Sequence, residues 1–142
     1  MPPHVGACMP ARIGPVVVPA VKLELYARLA SDWRQSIAEH KRSVFDLEHH
    51  ITYLAEIRVG DTVSVYNRVL SNNGKLFQGM FFVVNDTREQ LVATIEYRSI
   101  CIDLEQRRAA AFPAAILGKL NELQARHQAL AWSPAVCGLM DL

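Results

Sequence analysis

The 142 residues include only three cysteines, Cys8, Cys101 and Cys137, an odd number with no short spacing between any two. That excludes a disulfide framework and a metal knuckle, and it fits a reducing compartment. No apolar run approaches the ~18 residues that a membrane-spanning helix needs. The N-terminal run, Val16-Val17-Val18, lies between Pro15 and Pro19, and no basic segment precedes it as in a secretory signal. Charge of one sign is missing as well: 15 Lys and Arg against 14 Asp and Glu leave a formal net charge of +1. The basic residues are scattered without a block, so no nucleic-acid partner is expected. Gly-rich phosphate loops, CxxC and HExxH are absent, so nucleotide and metal chemistry have no support. Asn85-Asp86-Thr87 has the form of a glycosylation triplet but reads as a turn without a secretory context. What remains is a cytoplasmic globular chain of ordinary composition, 51% hydrophobic and 20% charged.

What is present starts with a helix. From Val21 to His40, apolar residues recur at Val21, Leu25, Leu29, Trp33 and Ile37, with charged residues mostly on the other side. Pro19 suits its start, and at 1.5 Å per residue the helix runs about 30 Å. Before it, Ile13–Val18 reads as a short edge strand, and residues 1–12 as a loose leader. After it come strands. Val44–Leu54 alternates, with Phe45, Leu47, His49, Ile51 and Tyr53 on one face and Asp46, Glu48, His50 and Thr52 on the other. Thr62–Leu70 follows the Gly60-Asp61 turn. Asn73-Gly74 predicts a type I′ hairpin turn. Lys75–Asn85, apolar on both faces, reads as a central strand, and Gly79 within it marks a bulge or a close approach. Leu91–Leu104 is the fourth strand. Phe112-Pro113 opens a second helix reaching about Ala131, with Ile116, Leu120 and Leu123 as its apolar line.

These elements predict an α+β domain over residues 13–131, with 132–142 as a tail: an antiparallel meander wrapped around one long central helix, and the second helix outside. Such a sheet has open edges, and a two-fold dimer is the cheapest way to hide one.

The run Glu48-His49-His50-Ile51-Thr52-Tyr53-Leu54-Ala55-Glu56-Ile57-Arg58-Val59-Gly60-Asp61 resembles the segment after the central helix in hotdog-fold acyl-CoA thioesterases of the 4-hydroxybenzoyl-CoA thioesterase-like superfamily. Leu91–Glu96 is similar to the last long strand of that family. Ile102-Asp103-Leu104, Arg107-Arg108 and Phe112-Pro113 are similar to its tail in a subgroup near the carnitine- and betaine-associated thioesterases. The resemblance covers roughly residues 21–125. It implies a hotdog fold, a homodimer or homotetramer, an acyl-CoA substrate, and no cofactor beyond the coenzyme A of that substrate. One departure is plain. The Asp and Gly-His-x-Asn run that precedes the central helix in the family is replaced here by Ile13–Val21, in which only Gly14 remains.

Thioester hydrolysis needs an oxyanion binder and a carboxylate. Backbone N–H groups at the start of the Val21 helix would serve as the first. For the second, Glu48 and His50 share a strand face about 7 Å apart. Glu24 and Asp32 on the helix are the further candidates. Each has a plainer reading as solvent-facing charge, and His49 reads as a core or interface histidine. Arg98, Arg107 and Arg108 are candidates for the coenzyme A phosphates. Cys101 reads as a small apolar strand residue. Two other functions stay open: a non-catalytic hotdog module binding an acyl thioester or a partner protein, and a hotdog dehydratase.

Overall fold

Residues 9–12 and 33–140 are described by the computed structural model, and the sheet within them is organised about its middle strand. That strand, β4 (Leu76–Asn85), is buried along nearly its whole length. Phe77, Phe81 and Val83 belong to one hydrophobic cluster, and Met80, Phe82 and Val84 to another. A strand apolar on both faces needs neighbours on both edges and cover on both sides. It has them: β4 pairs antiparallel with β3 (Val63–Asn72) and with β5 (Gln90–Asp103). The six-stranded sheet runs β1-β3-β4-β5-β2, with β1 (Met9–Arg12) and β2 (Arg42–Tyr53) at its two ends. A short β6 (Arg108–Ala109) pairs with the end of β5. Two helices complete the described chain, α1 (Trp33–His40) and α2 (Ala114–Gln128).

This order corrects the expected meander. β2 does not form a hairpin with β3; it lies beyond β5 at the far end of the sheet. The Gly60-Asp61 turn belongs instead to a crossover. The N–H groups of Leu54 and Ala55 donate to the Val92 carbonyl at 2.9 and 3.2 Å. Asp61 Oδ2 then accepts from the Arg58 N–H at 2.9 Å and from Asn85 Nδ2 at 2.7 Å, which anchors the crossover to the β4–β5 turn. Those bonds, the Arg58 N–H first, hold the Asp61 carboxyl below its ordinary pKa.

Two smaller expectations also change. Met9–Arg12, read as part of a loose leader, runs antiparallel to Ser64–Asn67. The β3–β4 turn has a positive φ only at Gly74, so it is not type I′. The Asn73 side chain closes it instead, its Oδ1 accepting from the N–H groups of Lys75 and Leu76 at 3.1 and 2.9 Å. The tail is packed: Trp132 sits edge-on to Phe82, and Met140 is buried. Of the helix expected over residues 21–40, Trp33–His40 is seen. Residues 21–32, and the strand expected at 13–18, lie outside the described residues.

The larger cluster defines an inner face. Val65, Val69, Phe77, Phe81, Ile95, Tyr97 and Cys101 meet Phe112 there, with Leu120 and Leu123 of α2. Gly79 permits this packing. The Tyr97 ring stacks on Phe81 at 4.8 Å, and its hydroxyl donates to Asn67 Oδ1 at 2.8 Å, passing over the spot where a Cβ of residue 79 would stand. That Cβ would also lie 2.8 Å from the Arg68 carbonyl oxygen.

On the outer face the C-terminal segment covers the smaller cluster. Arg68 Nη1 donates to the Trp132 carbonyl at 2.7 Å, and the guanidinium lies 4.5 Å from the Trp132 ring centre. Glu96, only 1% exposed, accepts from Gln78 Nε2 at 3.2 Å and from the Cys137 N–H at 2.7 Å. Gln78 Nε2 also donates to the Met140 carbonyl at 3.1 Å. A carboxylate buried without donors would cost several kcal/mol; these bonds satisfy it and tie the tail to the sheet.

Two outcomes test this packing. Gly79→Ala is expected to lower stability by about 1–3 kcal/mol through overpacking. Gly118→Ala, in α2 with nothing within 4 Å of the new Cβ, is expected to raise it by about 0.4–1 kcal/mol. Urea unfolding of both variants reads the opposite signs. The second outcome concerns His127, 3% exposed, whose Nδ1 accepts the Val69 N–H at 2.9 Å. Burial, then the charges of Arg68 and Arg126, push its pKa down to about 4. The unfolded chain takes up this proton near pH 6.5, where the folded chain refuses it. Stability present above pH 6.5 is therefore lost as the pH falls toward 4, by about 3 kcal/mol. Unfolding midpoints between pH 7 and 4 should fall less in His127→Gln; an unchanged slope would exclude His127 as the cause.

Candidate active site

Among the described strands β2 lies at an edge of the sheet, and it carries titratable groups on both faces. Its alternation is broken by a bulge: Asp46 pairs with Ser99, but the next paired residue is Glu48, opposite Arg98, which leaves Leu47 extra. An extra residue reverses the face of everything before it. Asp46 therefore joins the inner face with His49, and Phe45 joins the outer face with Glu48 and His50. This corrects the assignment of Asp46, Glu48 and His50 to a single face.

On the inner face, Ser99 Oγ donates to Asp46 Oδ1 at 2.8 Å, and His49 Nε2 lies 3.6 Å from Asp46 Oδ2. Ser99 is fully buried, whereas the Asp46 and His49 side chains are 40% and 35% exposed. His49 stands opposite Tyr97 in the register.

The outer face does bring Glu48 and His50 together, in register with Arg98 and Glu96. Glu48 Oε2 is ion-paired to Arg98 Nη2 at 3.0 Å. Glu96 is held by Gln78 and Cys137. The expected phosphate-binding arginines separate: Arg98 sits within β5, whereas Arg107 and Arg108 are exposed where the chain turns into β6. The Arg107 guanidinium lies 6.0 Å from the Phe45 ring centre. Beside it, Arg42 Nη1 donates to Asp103 Oδ2 at 2.7 Å. The Gln106 and Glu105 N–H groups cap the other Asp103 oxygen at 2.8 and 2.9 Å. The Gln106 bond is the chief reason that the Asp103 carboxyl lies below its ordinary pKa.

Glu24 and Asp32 lie outside the described residues. Asp46 and Ser99 were not among the residues singled out from sequence, because strict alternation sent Asp46 to the wrong face. No local signal marks the bulge. Among the described residues, no three His, Cys, Asp or Glu side chains form a metal-ligating group, and no helix is long and apolar enough to cross a membrane.

The family model of the thioesterase-like superfamily matches residues 17–120. The chain belongs to that superfamily. It is 30% identical over 106 residues to an L-carnitine dehydrogenase/betainyl-CoA thioesterase of Agrobacterium fabrum, covering 75% of this chain and 21% of that protein. The chain thus spans about a fifth of that relative's length. Among solved structures it resembles a Staphylococcus aureus hypothetical protein in complex with CoA, with TM-score 0.71, 16% identity and coverage of 88% and 87% of the two chains. It also resembles a 1,4-dihydroxy-2-naphthoyl-CoA thioesterase from Synechocystis, with TM-score 0.63, 17% identity and coverage of 81% and 95%. At such identities these structures establish the fold, which is the hotdog fold expected from the sequence.

Within this thioesterase-like sheet, Cys101 is not a nucleophile. It is buried, its Sγ donates to the Ala111 carbonyl at 3.7 Å, and burial pushes the thiol up to about 11. The thiolate is the reactive form. Cys101 is therefore expected to stay unlabelled by iodoacetamide at pH 8 until the protein is unfolded. Peptide mapping checks this, and rapid native labelling would refute it.

Proposed function

We propose that this thioesterase-like protein hydrolyses the thioester of an acyl-CoA. The observation that carries the reading is the family match over residues 17–120, which takes in every described strand except β1. Water would attack the thioester carbonyl with the help of a carboxylate, and β2 supplies carboxylates on both faces. The earlier candidates Glu48 and His50 share the outer one, and Glu24 and Asp32, outside the described residues, remain candidates. Arg107 and Arg108, exposed at one end of the sheet, are suited to coenzyme A phosphates; Arg98 is engaged with Glu48. The betainyl-CoA named for the Agrobacterium fabrum relative is the first ester to try.

The catalytic unit is proposed to be a dimer paired along β2. This 12-residue edge strand exposes Phe45 at 41%, Leu47 at 51%, Ile51 at 42% and Tyr53 at 80%. An apolar edge of this length invites a second copy, and a dimer of dimers is the larger form of the same proposal. The replaced Asp and Gly-His-x-Asn run at residues 13–21 favours a second reading, a non-catalytic module that binds an acyl thioester.

Free-thiol release from short, long, aromatic and betainyl CoA esters separates the two, with sedimentation giving the mass. The hydrolase reading expects a clear preference for one ester and a mass of at least a dimer. Thermal stabilisation by the esters with no thiol released would favour the module, and a monomer would exclude the β2 seam.

A further inference from the structure

The bulge at Leu47 assembles a group that the outer-face candidates do not explain. It turns Asp46 onto the inner face, where buried Ser99 holds one carboxylate oxygen at 2.8 Å and His49 Nε2 lies 3.6 Å from the other. Bulges recur beside active sites because they re-aim a side chain. Ser99 gives Asp46 a set orientation through a buried hydroxyl, and the Asp46 and His49 side chains are 40% and 35% exposed. The 3.6 Å separation is long for a hydrogen bond, as is common for acid–base pairs before substrate is bound. Glu48, by contrast, turns to the opposite face and is neutralised by Arg98 at 3.0 Å.

We propose that Asp46 and His49 are the acid–base pair of this protein and that Ser99 is the positioning residue for Asp46. The proposal rests on the thioester-hydrolase reading and names the groups that would perform it. Asp46 takes a proton from water as the water oxygen bonds to the thioester carbonyl carbon. The proton passes from Asp46 to His49 Nε2. The tetrahedral intermediate then collapses, the carbon–sulfur bond breaks, and the sulfur leaves with its electron pair and takes that proton from His49. One water and one thioester give one carboxylic acid and one thiol, and both side chains return to their starting state.

The test uses the full chain and the ester on which it is most active, with kcat and KM measured for Asp46→Asn, His49→Gln, Ser99→Ala and Ser99→Thr, for the rival outer-face candidates Glu48→Gln and His50→Gln, and for Glu122→Gln on the exposed side of α2 as the control. Thermal melting of each variant reports the fold. General acid–base groups contribute about 10²–10⁴-fold, so Asp46→Asn and His49→Gln are expected to lose that much in kcat with KM little changed. Ser99→Ala should lower kcat about tenfold at unchanged KM, and Ser99→Thr, which keeps the hydroxyl, should restore it. The Glu122→Gln control should stay within about threefold of the parent, below the smallest effect of an acid–base group. Should Asp46→Asn melt below the assay temperature, Asp46→Glu and His49→Gln carry the test. A folded Asp46 or His49 variant with parental kcat, or loss confined to Glu48→Gln and His50→Gln, overturns the assignment while leaving hydrolysis standing. No turnover of any ester by the parent chain overturns the hydrolase reading, and this assignment with it.

Discussion

Everything described in this fold hangs from a strand that has no water on either side. β4 sends Phe77, Phe81 and Val83 into one cluster and Met80, Phe82 and Val84 into the other. Each fully buried side chain of this size contributes roughly 1.5–3 kcal/mol, and neither face can be exposed without losing half of that. The requirement places β3 and β5 on its two edges, helix α2 on its inner face and the C-terminal segment on its outer face. Gly79 belongs to the same constraint, since the Tyr97 ring fills the space that any side chain there would need.

Covering the outer face brings polar groups out of water, and two sets of them are bonded to one another. Glu96, Gln78, the Cys137 N–H and the Met140 carbonyl form one connected set; Arg68 and Trp132 form a second. Buried polar groups satisfied in this way specify where the tail lies, whereas apolar contact alone would tolerate several placements. His127 does similar work for β3, accepting the Val69 N–H at a point beyond the residues that β1 pairs.

β2 differs from the strands behind it. Among the described residues it has one pairing partner, and it carries long exposed apolar side chains and charged groups on both faces. A single extra residue divides those groups into two sets. The outer one is dominated by the Glu48–Arg98 pair; the inner one joins Asp46, His49 and Ser99. Placing reactive groups on an edge is costly to packing only locally, so the core strands need not change to accommodate them.

The periodicity of β3, β4, β5 and α2 was legible in the sequence because burial imposes it residue by residue: Phe77 to Val84 read as a central strand and is one. The hotdog family was legible from the order of the segments around Glu48–Asp61, Leu91–Glu96 and Phe112-Pro113. Strand order was not. The Gly60-Asp61 turn looks the same in sequence whether it closes a hairpin or ends a crossover, and only the bonds of Leu54, Ala55 and Asp61 to distant residues choose between them. The faces of β2 were equally hidden, since a bulge is created by the hydrogen-bond register with β5 and leaves no local mark. Sequence by itself determined that β2 to β5 are strands and α2 a helix, through hydropathy that acts along the chain. Tertiary structure alone decided which strand lies beside which, and therefore that Asp46, His49 and Ser99 meet, because those contacts join residues far apart in sequence.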